Sequence, residues 1–398
     1  MTMTLNGNSS TLGVQEDVHV PDRLYSRVVV TDDHVTLGIT RPGMHTLHFT
    51  EIKGTLHWDE RAYPLRKLRH RYGLGWRGQI DEVKAGEEVV FDKREGQVVS
   101  RTLSPMTTVE CNRLPMEEAV PVFREAVLQA THEMLQTLGN DPKILCFLSG
   151  GADSTLNAWA LRECGVDFTT TCVGVTEDYF DPKFARQYAE AMGLDYRFTQ
   201  IHPEGPALGK MVREAVVAIE NCEMSNTLMA ICTTHAKAWA VAEGFDTLWT
   251  GYNADGVMGF SPQTQGLFKR QLDPDGDIDQ QWCDYRAGLY QHRIPNDAQV
   301  AKVCRYGGKT QWRSVFAHPD VFKMLWSMTS EVVPIELKKP LLYSILDPAL
   351  GEGVGAWHTR SKVGYYTGSG IGKIRNDVRH LGQPYFQNVY RMMNNLMI

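Results

Sequence analysis

Five apolar residues, 144–148, lead into Ser149-Gly150-Gly151-Ala152-Asp153-Ser154, and the chain then continues directly as a helical pattern. No other stretch constrains the fold as much. A short apolar run bounded by turn residues reads as a buried parallel strand. Two adjacent glycines then allow a turn tight enough for backbone N–H groups and a helix start to converge on an anionic oxyphosphate. Ser149 and Ser154 add hydroxyl donors. Asp153 would repel a phosphate unless a cation lay between them, so the segment implies magnesium. A plain strand-to-helix turn, with Ser and Asp as caps, is the competing reading. No Gly-x-x-x-x-Gly-Lys-Ser/Thr loop occurs in the chain.

At 398 residues and 42% hydrophobic composition, the chain is large enough for two domains with a sizeable core. A net charge of −6 argues against a broad nucleic-acid or membrane footprint, which points to a small-molecule substrate. Eight cysteines, at 111, 146, 164, 172, 222, 232, 283 and 304, include no Cys-x-x-Cys pair. Several sit in apolar runs, so they read as reduced core thiols in a cytoplasmic protein. Residues 1–18 lack a basic start followed by an apolar stretch, and eighteen consecutive apolar residues occur nowhere. Neither export nor membrane insertion is expected.

The pattern changes near residue 115. Before it, short β-type segments dominate at 27–30, 34–39 and 46–49, with a hairpin of 89–91 and 98–103 around the turn residues 92–96. From Met116, helical periodicity takes over, with Pro121 tolerable in a first turn and Gly139 just past the end. A strand, a helix at 155–164, a strand at 168–175, a helix at 182–192 and a strand at 196–201 follow. Helical patterns at 208–219 and 227–243 precede one more strand at 247–250, and after Phe260 the chain reads as mainly helical. Such alternation predicts a doubly wound parallel sheet of the α/β class with crossover helices. The domains are therefore 1–115, small and β-rich, and 116–398.

Ligands of doubly wound sheets lie beyond the carboxyl ends of the strands. The segment after the 247–250 strand, Gly251-Tyr252-Asn253-Ala254-Asp255-Gly256, is thus a candidate second half of the site. Asp255 would face Asp153, and two carboxylates on neighbouring loops suit a magnesium ion bound to ATP phosphates. Taken alone, the segment could equally be a Gly/Asn-rich turn.

Residues 149–154 resemble the pyrophosphate loop of the ATP pyrophosphatases, the group that includes the asparagine synthetases. That likeness implies an adenine nucleotide alpha-hydrolase-like fold. Asparagine synthetases carry Gly-Glu-Gly-Ala-Asp at the second segment, whereas β-lactam and carbapenam synthetases place Tyr where that Glu stands. Here the residue is Tyr252. A third stretch, Ser361-Lys362-Val363-Gly364-Tyr365-Tyr366-Thr367-Gly368-Ser369-Gly370, is similar to the segment of β-lactam synthetases whose lysine stabilises the cyclisation transition state. The family has His-Glu where this chain has Tyr366-Thr367, which implies a different substrate pocket. Asp297 stands where those enzymes place a glutamate that forms a dyad with the tyrosine, and its other reading is a helix cap. Lys339 aligns with a lysine near the nucleotide, with a solvated Lys338/Lys339 pair as the alternative.

The resemblance implies a ligase that uses ATP and Mg2+ to adenylate a carboxylate and then close an amide, with a β-lactam as the leading product. In it, Ser149, Gly150, Gly151, Ser154, Gly251 and Lys339 bind nucleotide, Asp153 and Asp255 bind metal, and Tyr252, Asp297 and Lys362 are catalytic. The substrate would be amino-acid-like or a peptide, with no nucleic acid or membrane partner and a homodimer as the candidate assembly. Ammonia-dependent asparagine synthesis, lasso-peptide-type macrocyclisation and an inactive nucleotide-binding scaffold are the alternatives. Asparagine synthetases expose an N-terminal cysteine for glutamine hydrolysis; residue 2 here is Thr. A terminal Thr can act as a nucleophile, but the polar flank and small size favour a degenerate, non-catalytic glutaminase-like domain.

Overall fold

The computed structural model describes residues 26–40, 43–75, 79–104, 109–202, 205–220, 224–290, 298–351, 354–355 and 368–373. The N-terminal part holds two antiparallel sheets. Its elements are β1 (Ser26–Val30), β2 (His34–Ile39), β3 (His48–Ile52), β4 (Thr55–Asp59), α1 (Ala62–Arg71), β5 (Asp81–Glu82), β6 (Glu87–Asp92) and β7 (Gln97–Leu103). Strand order is β1-β2-β6-β7 in one sheet and β4-β3-β5 in the other. Alternate residues such as Val28, Leu37, Phe49, Trp58, Val89 and Phe91 meet in a common core. In the expected β6–β7 hairpin, the Asp92 carboxylate accepts the N–H groups of Arg94 and Glu95 at 2.7 and 2.9 Å. The strand expected at 46–49 lies at 48–52, while β4 and α1 were not foreseen. β3 and β4 join through Lys53-Gly54, with φ of 52° and 73°, the left-handed pair that a two-residue hairpin requires.

The second part is α/β. It contains α2 (Met116–Gln136), β8 (Ile144–Phe147), α3 (Ala152–Glu163), β9 (Phe168–Gly174), α4 (Phe180–Met192), β10 (Asp195–Gln200), α5 (Gly205–Ile219), α6 (Met224–Ala242), β11 (Thr247–Trp249) and α7 (Ala254–Val257). After these come α8 (Pro262–Gln271), α9 (Ile278–Gly288), α10 (Ala298–Arg305), β12 (Gln311–Arg313), α11 (Pro319–Ser327) and α12 (Pro340–Leu350). β8 to β12 form one five-stranded sheet, ordered β10-β9-β8-β11-β12, and every pairing is parallel. Side-chain alternation shows why both faces are covered. Ile144, Cys146 and Leu148 enter a core shared with α2, α3, α4 and α12. Leu145 and Phe147 enter another, shared with α5, α6 and α10.

The region after Phe260 is mainly helical, as expected, and the short β12 within it extends the sheet beside β11. One expectation needs correction. Pro121 lies past the first turn of α2, inside the helix. There it removes the N–H that would bond the carbonyl of Glu117, and both residues are on the exposed face, where water can take that carbonyl. Among the described residues no helix is long and apolar enough to cross a membrane.

The two parts are packed together. Met44 is fully buried in the second α/β core. Glu220, with φ of 52°, turns its carboxylate onto the first turn of α1, accepting N–H bonds from Ala62 at 2.9 Å and Tyr63 at 2.8 Å. Arg305 of α10 donates to His45 Nδ1 at 2.6 Å and to Glu60 at 2.9 Å. Burial, followed by the charge of Arg305, holds the His45 pKa well below the usual histidine value. The neutral ring can therefore accept that bond.

Candidate active site

The order of the sheet reverses between β8 and β11: β9 and β10 lie to one side of β8, and β11 and β12 to the other. The crevice of a doubly wound sheet opens at that switch point, so the loops after β8 and β11 flank it. Gly150 takes a φ of 66°, and a Cβ there would lie 2.5 Å from Phe184 Cβ and 2.9 Å from Ala185 N. Only glycine meets both conditions. The loop is held by its own hydroxyls. Ser149 N–H donates to Ser154 Oγ at 3.0 Å, Ser154 Oγ donates to Gly151 O at 3.0 Å, and the two serine hydroxyls are 3.1 Å apart. Thr155 Oγ1 adds a bond to Gly151 O at 2.8 Å. No side chain caps the N-terminus of α3, and the one acidic residue of its first turn is Asp153, placed where the helix dipole favours negative charge.

The loop after β11 lies against this turn. A Cβ on Gly251 would be 2.5 Å from Ser154 N and 2.7 Å from Asp153 C. Those neighbours are backbone and cannot swing aside. Gly251→Ala is therefore expected to separate the two loops, lowering stability by about 1–3 kcal/mol and nucleotide affinity with it. Thermal melting with and without ATP checks this; unchanged binding would show that the close approach is dispensable.

Polar side chains that the sequence reading did not single out fix the second loop. Asn253 has a φ of 78°; its Nδ2 donates to Phe316 O at 2.8 Å and its Oδ1 accepts from the Tyr290 hydroxyl at 2.9 Å. Trp312 of β12 donates to Thr250 Oγ1 at 2.9 Å, and Ser314 Oγ to Tyr252 O at 2.8 Å. Asn157 ties both loops together, donating to Asp153 O at 2.9 Å and accepting from Trp249 Nε1 at 2.8 Å and Val315 N at 3.1 Å. Its spacing of one helical turn from Asp153 was the available signal.

Asp153 and Asp255 meet on Lys339. The ammonium donates to Asp153 Oδ1 at 2.5 Å, Asp153 Oδ2 at 2.6 Å and Asp255 Oδ1 at 2.6 Å, and lies 4.4 Å from the centre of the Phe260 ring. Lys339 is only 5% exposed, while its neighbour Lys338 is exposed and pairs with Glu336 at 3.1 Å. A solvated lysine pair is thus excluded. Burial opposes the Lys339 charge, but the adjoining Asp153 and Asp255 hold its pKa above the ordinary lysine value.

Thr2, Cys222, Asp297 and Lys362 lie outside the described residues. The end of the third motif does not. Ser369 O accepts Val175 N–H at 3.0 Å just past β9, and Ile371 is fully buried in the second core. Gly370, with φ of 80°, passes so close to Tyr179 that a Cβ would lie 2.5 Å from its ring. The third motif therefore ends at the carboxyl edge of the sheet, beside the strand next to β8. Tyr252 is half-buried against the second core.

Glu133, His318 and Asp320 form another carboxylate–histidine group. His318 Nδ1 accepts the Asp320 N–H at 3.4 Å to cap α11, which puts the proton of a neutral ring on Nε2, facing Glu133 at 3.2 Å.

The asparagine synthase family model matches residues 123–325, just over half of the chain and both switch-point loops. The chain belongs to the asparagine synthase family. No curated protein matches it. Asparagine synthase family enzymes are ATP-dependent ligases that form C–N bonds, generally with Mg2+, and this chain is an enzyme of that general kind. The site fits those ligands. Two carboxylates converge on a single cationic group, and hard oxygen donors of this type suit magnesium.

Proposed function

We propose that this protein adenylates a substrate carboxylate with ATP and then closes an amide with an amine of the same molecule, most simply a β-lactam, releasing pyrophosphate and AMP. The observation that carries the adenylation step is the convergence of Asp153 and Asp255, from the loops after β8 and β11, on one buried ammonium. In this reading the turn at 149–154, the uncapped start of α3 and Lys339 hold the phosphates, with Gly251 lining their path. Asp153 and Asp255 hold magnesium, which when bound neutralises phosphate charge and assists the departure of pyrophosphate.

A carboxylate oxygen attacks the α-phosphorus, the bond to the bridging oxygen of the β-phosphate breaks, and pyrophosphate leaves. The amine then attacks the acyl carbon, loses its proton and expels AMP. Tyr252, with Asp297, is assigned that proton, and Lys362 is assigned the negative charge that develops on the carbonyl oxygen. Tyr at position 252 and the third motif favour an internal amine over ammonia. Ring closure needs the amine held at near-attack distance, because a strained ring forms only when an adenylate is already waiting.

A substrate screen tests the reading: pyrophosphate release measured with β-amino acids bearing a carboxylate, diamino acids, acidic peptides, and aspartate plus ammonium, with products weighed by mass spectrometry. A cyclised product, lighter than its substrate by one water, supports the proposal. Asparagine from ammonium would replace the internal amine and with it the proposal, whereas a macrolactam from a peptide would replace only the β-lactam as the ring formed. The tyrosine can be tested separately. Tyr252→Phe is expected to retain ATP–pyrophosphate exchange while closing the ring about 10²–10⁴-fold more slowly. Loss of exchange would make Tyr252 a nucleotide or structural residue.

A further inference from the structure

The geometry points to Lys339 as an internal counter-ion that competes with the divalent metal for Asp153 and Asp255, so that metal enters tightly only together with the nucleotide. This rests on the proposed role of the two carboxylates. Three of their oxygens already lie within 2.6 Å of the ammonium. A magnesium ion takes oxygen ligands at about 2.1 Å and would draw on these same two carboxylates. Two cations cannot both hold them without strong repulsion over a short, partly buried distance. Lys339 is also anchored. It stands at the N-cap position of α12, directly before Pro340, and the next residues, Leu341 and Leu342, are buried in the first core. Its backbone is thereby fixed, and only the side chain can swing.

A metal arriving alone would push a buried ammonium off its three acceptors, and stripping a buried charge of its partners is costly. A metal arriving with a polyphosphate brings anionic oxygens to which the lysine can turn. Binding of the two ligands is then coupled, and the coupling is reciprocal: nucleotide raises metal affinity by the factor by which metal raises nucleotide affinity. The carboxylates stay paired with a cation throughout, so this device needs no unpaired buried charge.

The test titrates Mn2+ into the full-length protein and follows bound and free ion by electron paramagnetic resonance, with and without β,γ-methylene-ATP. Wild type alone is expected to bind Mn2+ weakly, and the protein–nucleotide complex tightly. Lys339→Met and Lys339→Gln, without nucleotide, should bind Mn2+ about a hundredfold more tightly than wild type, and adding Asp255→Asn should abolish the gain. Thermal melting gives a second readout: Mn2+ alone should raise the melting temperature of the Lys339 variants and not of wild type. The wild-type arm stands even if a variant does not fold. Tight Mn2+ binding by nucleotide-free wild type, or no gain in folded variants, overturns the competition alone. No retention of the Mn–nucleotide complex by wild type overturns the assignment of the carboxylates and the competition with it.

Discussion

Asp153→Asn and Asp255→Asn should each reduce ATP-dependent pyrophosphate release by about 10³-fold, because each removes one of two anionic groups assigned to a metal that contributes several kcal/mol to the transition state. The fold should survive. Asp153 and Asp255 both pair with Lys339, so either substitution leaves the buried ammonium one carboxylate, and an asparagine oxygen can still accept a bond. Circular dichroism and melting temperature check the fold, and a coupled pyrophosphate assay at saturating ATP and Mg2+ checks the rate. A folded variant within tenfold of wild type would remove the metal assignment from that residue.

The second large effect is expected at Lys362. Removing a preorganised donor to a developing oxyanion typically costs about 10²–10³ in rate, and Lys362→Ala should lose at least that much product formation with little change in ATP affinity. The described chain gives this substance. Ser369 and Ile371 are fixed at the carboxyl edge of β9, and Lys362 precedes Gly368 by six residues, a span of at most about 20 Å. Single-turnover product formation, measured beside equilibrium ATP binding, separates the effects. Full activity in Lys362→Ala, or a fall that tracks lost ATP binding, would remove the transition-state role.

The two loops of the site were legible because their signals are local. A short apolar strand, glycines at a turn and an acidic residue at a helix start stand within a few residues of one another. That the loops are neighbours was an inference from how such sheets are built, and the order β8-β11 was not written in either segment. β12 escaped notice for a clear reason. It is three residues long and reads Gln-Trp-Arg, and the Arg313 guanidinium that looks like surface is buried, donating to Thr137 Oγ1 at 2.9 Å. α1 escaped for the opposite reason: it is rich in basic residues, and Leu65 is its one buried side chain, so its apolar stripe is too thin to show a period. Lys339 was ambiguous because its partners lie far away in the chain. No local pattern tells a lysine bound for two distant carboxylates from one bound for water.

The boundary near residue 115 divides two kinds of sequence, yet it is a poor place to cut the molecule. Met44 fills a position in the core that packs against β8, β9 and β11, and excising its unit would open that core to water. Arg305, only 8% exposed, would lose His45 and Glu60 together. Glu220 would keep its left-handed backbone without the helix start that its carboxylate holds. The β-rich unit thus serves as an outer wall of its neighbour. A fragment beginning at Met116 would contain every residue assigned to the chemistry and still lack the side of the building that keeps α5 and α10 dry.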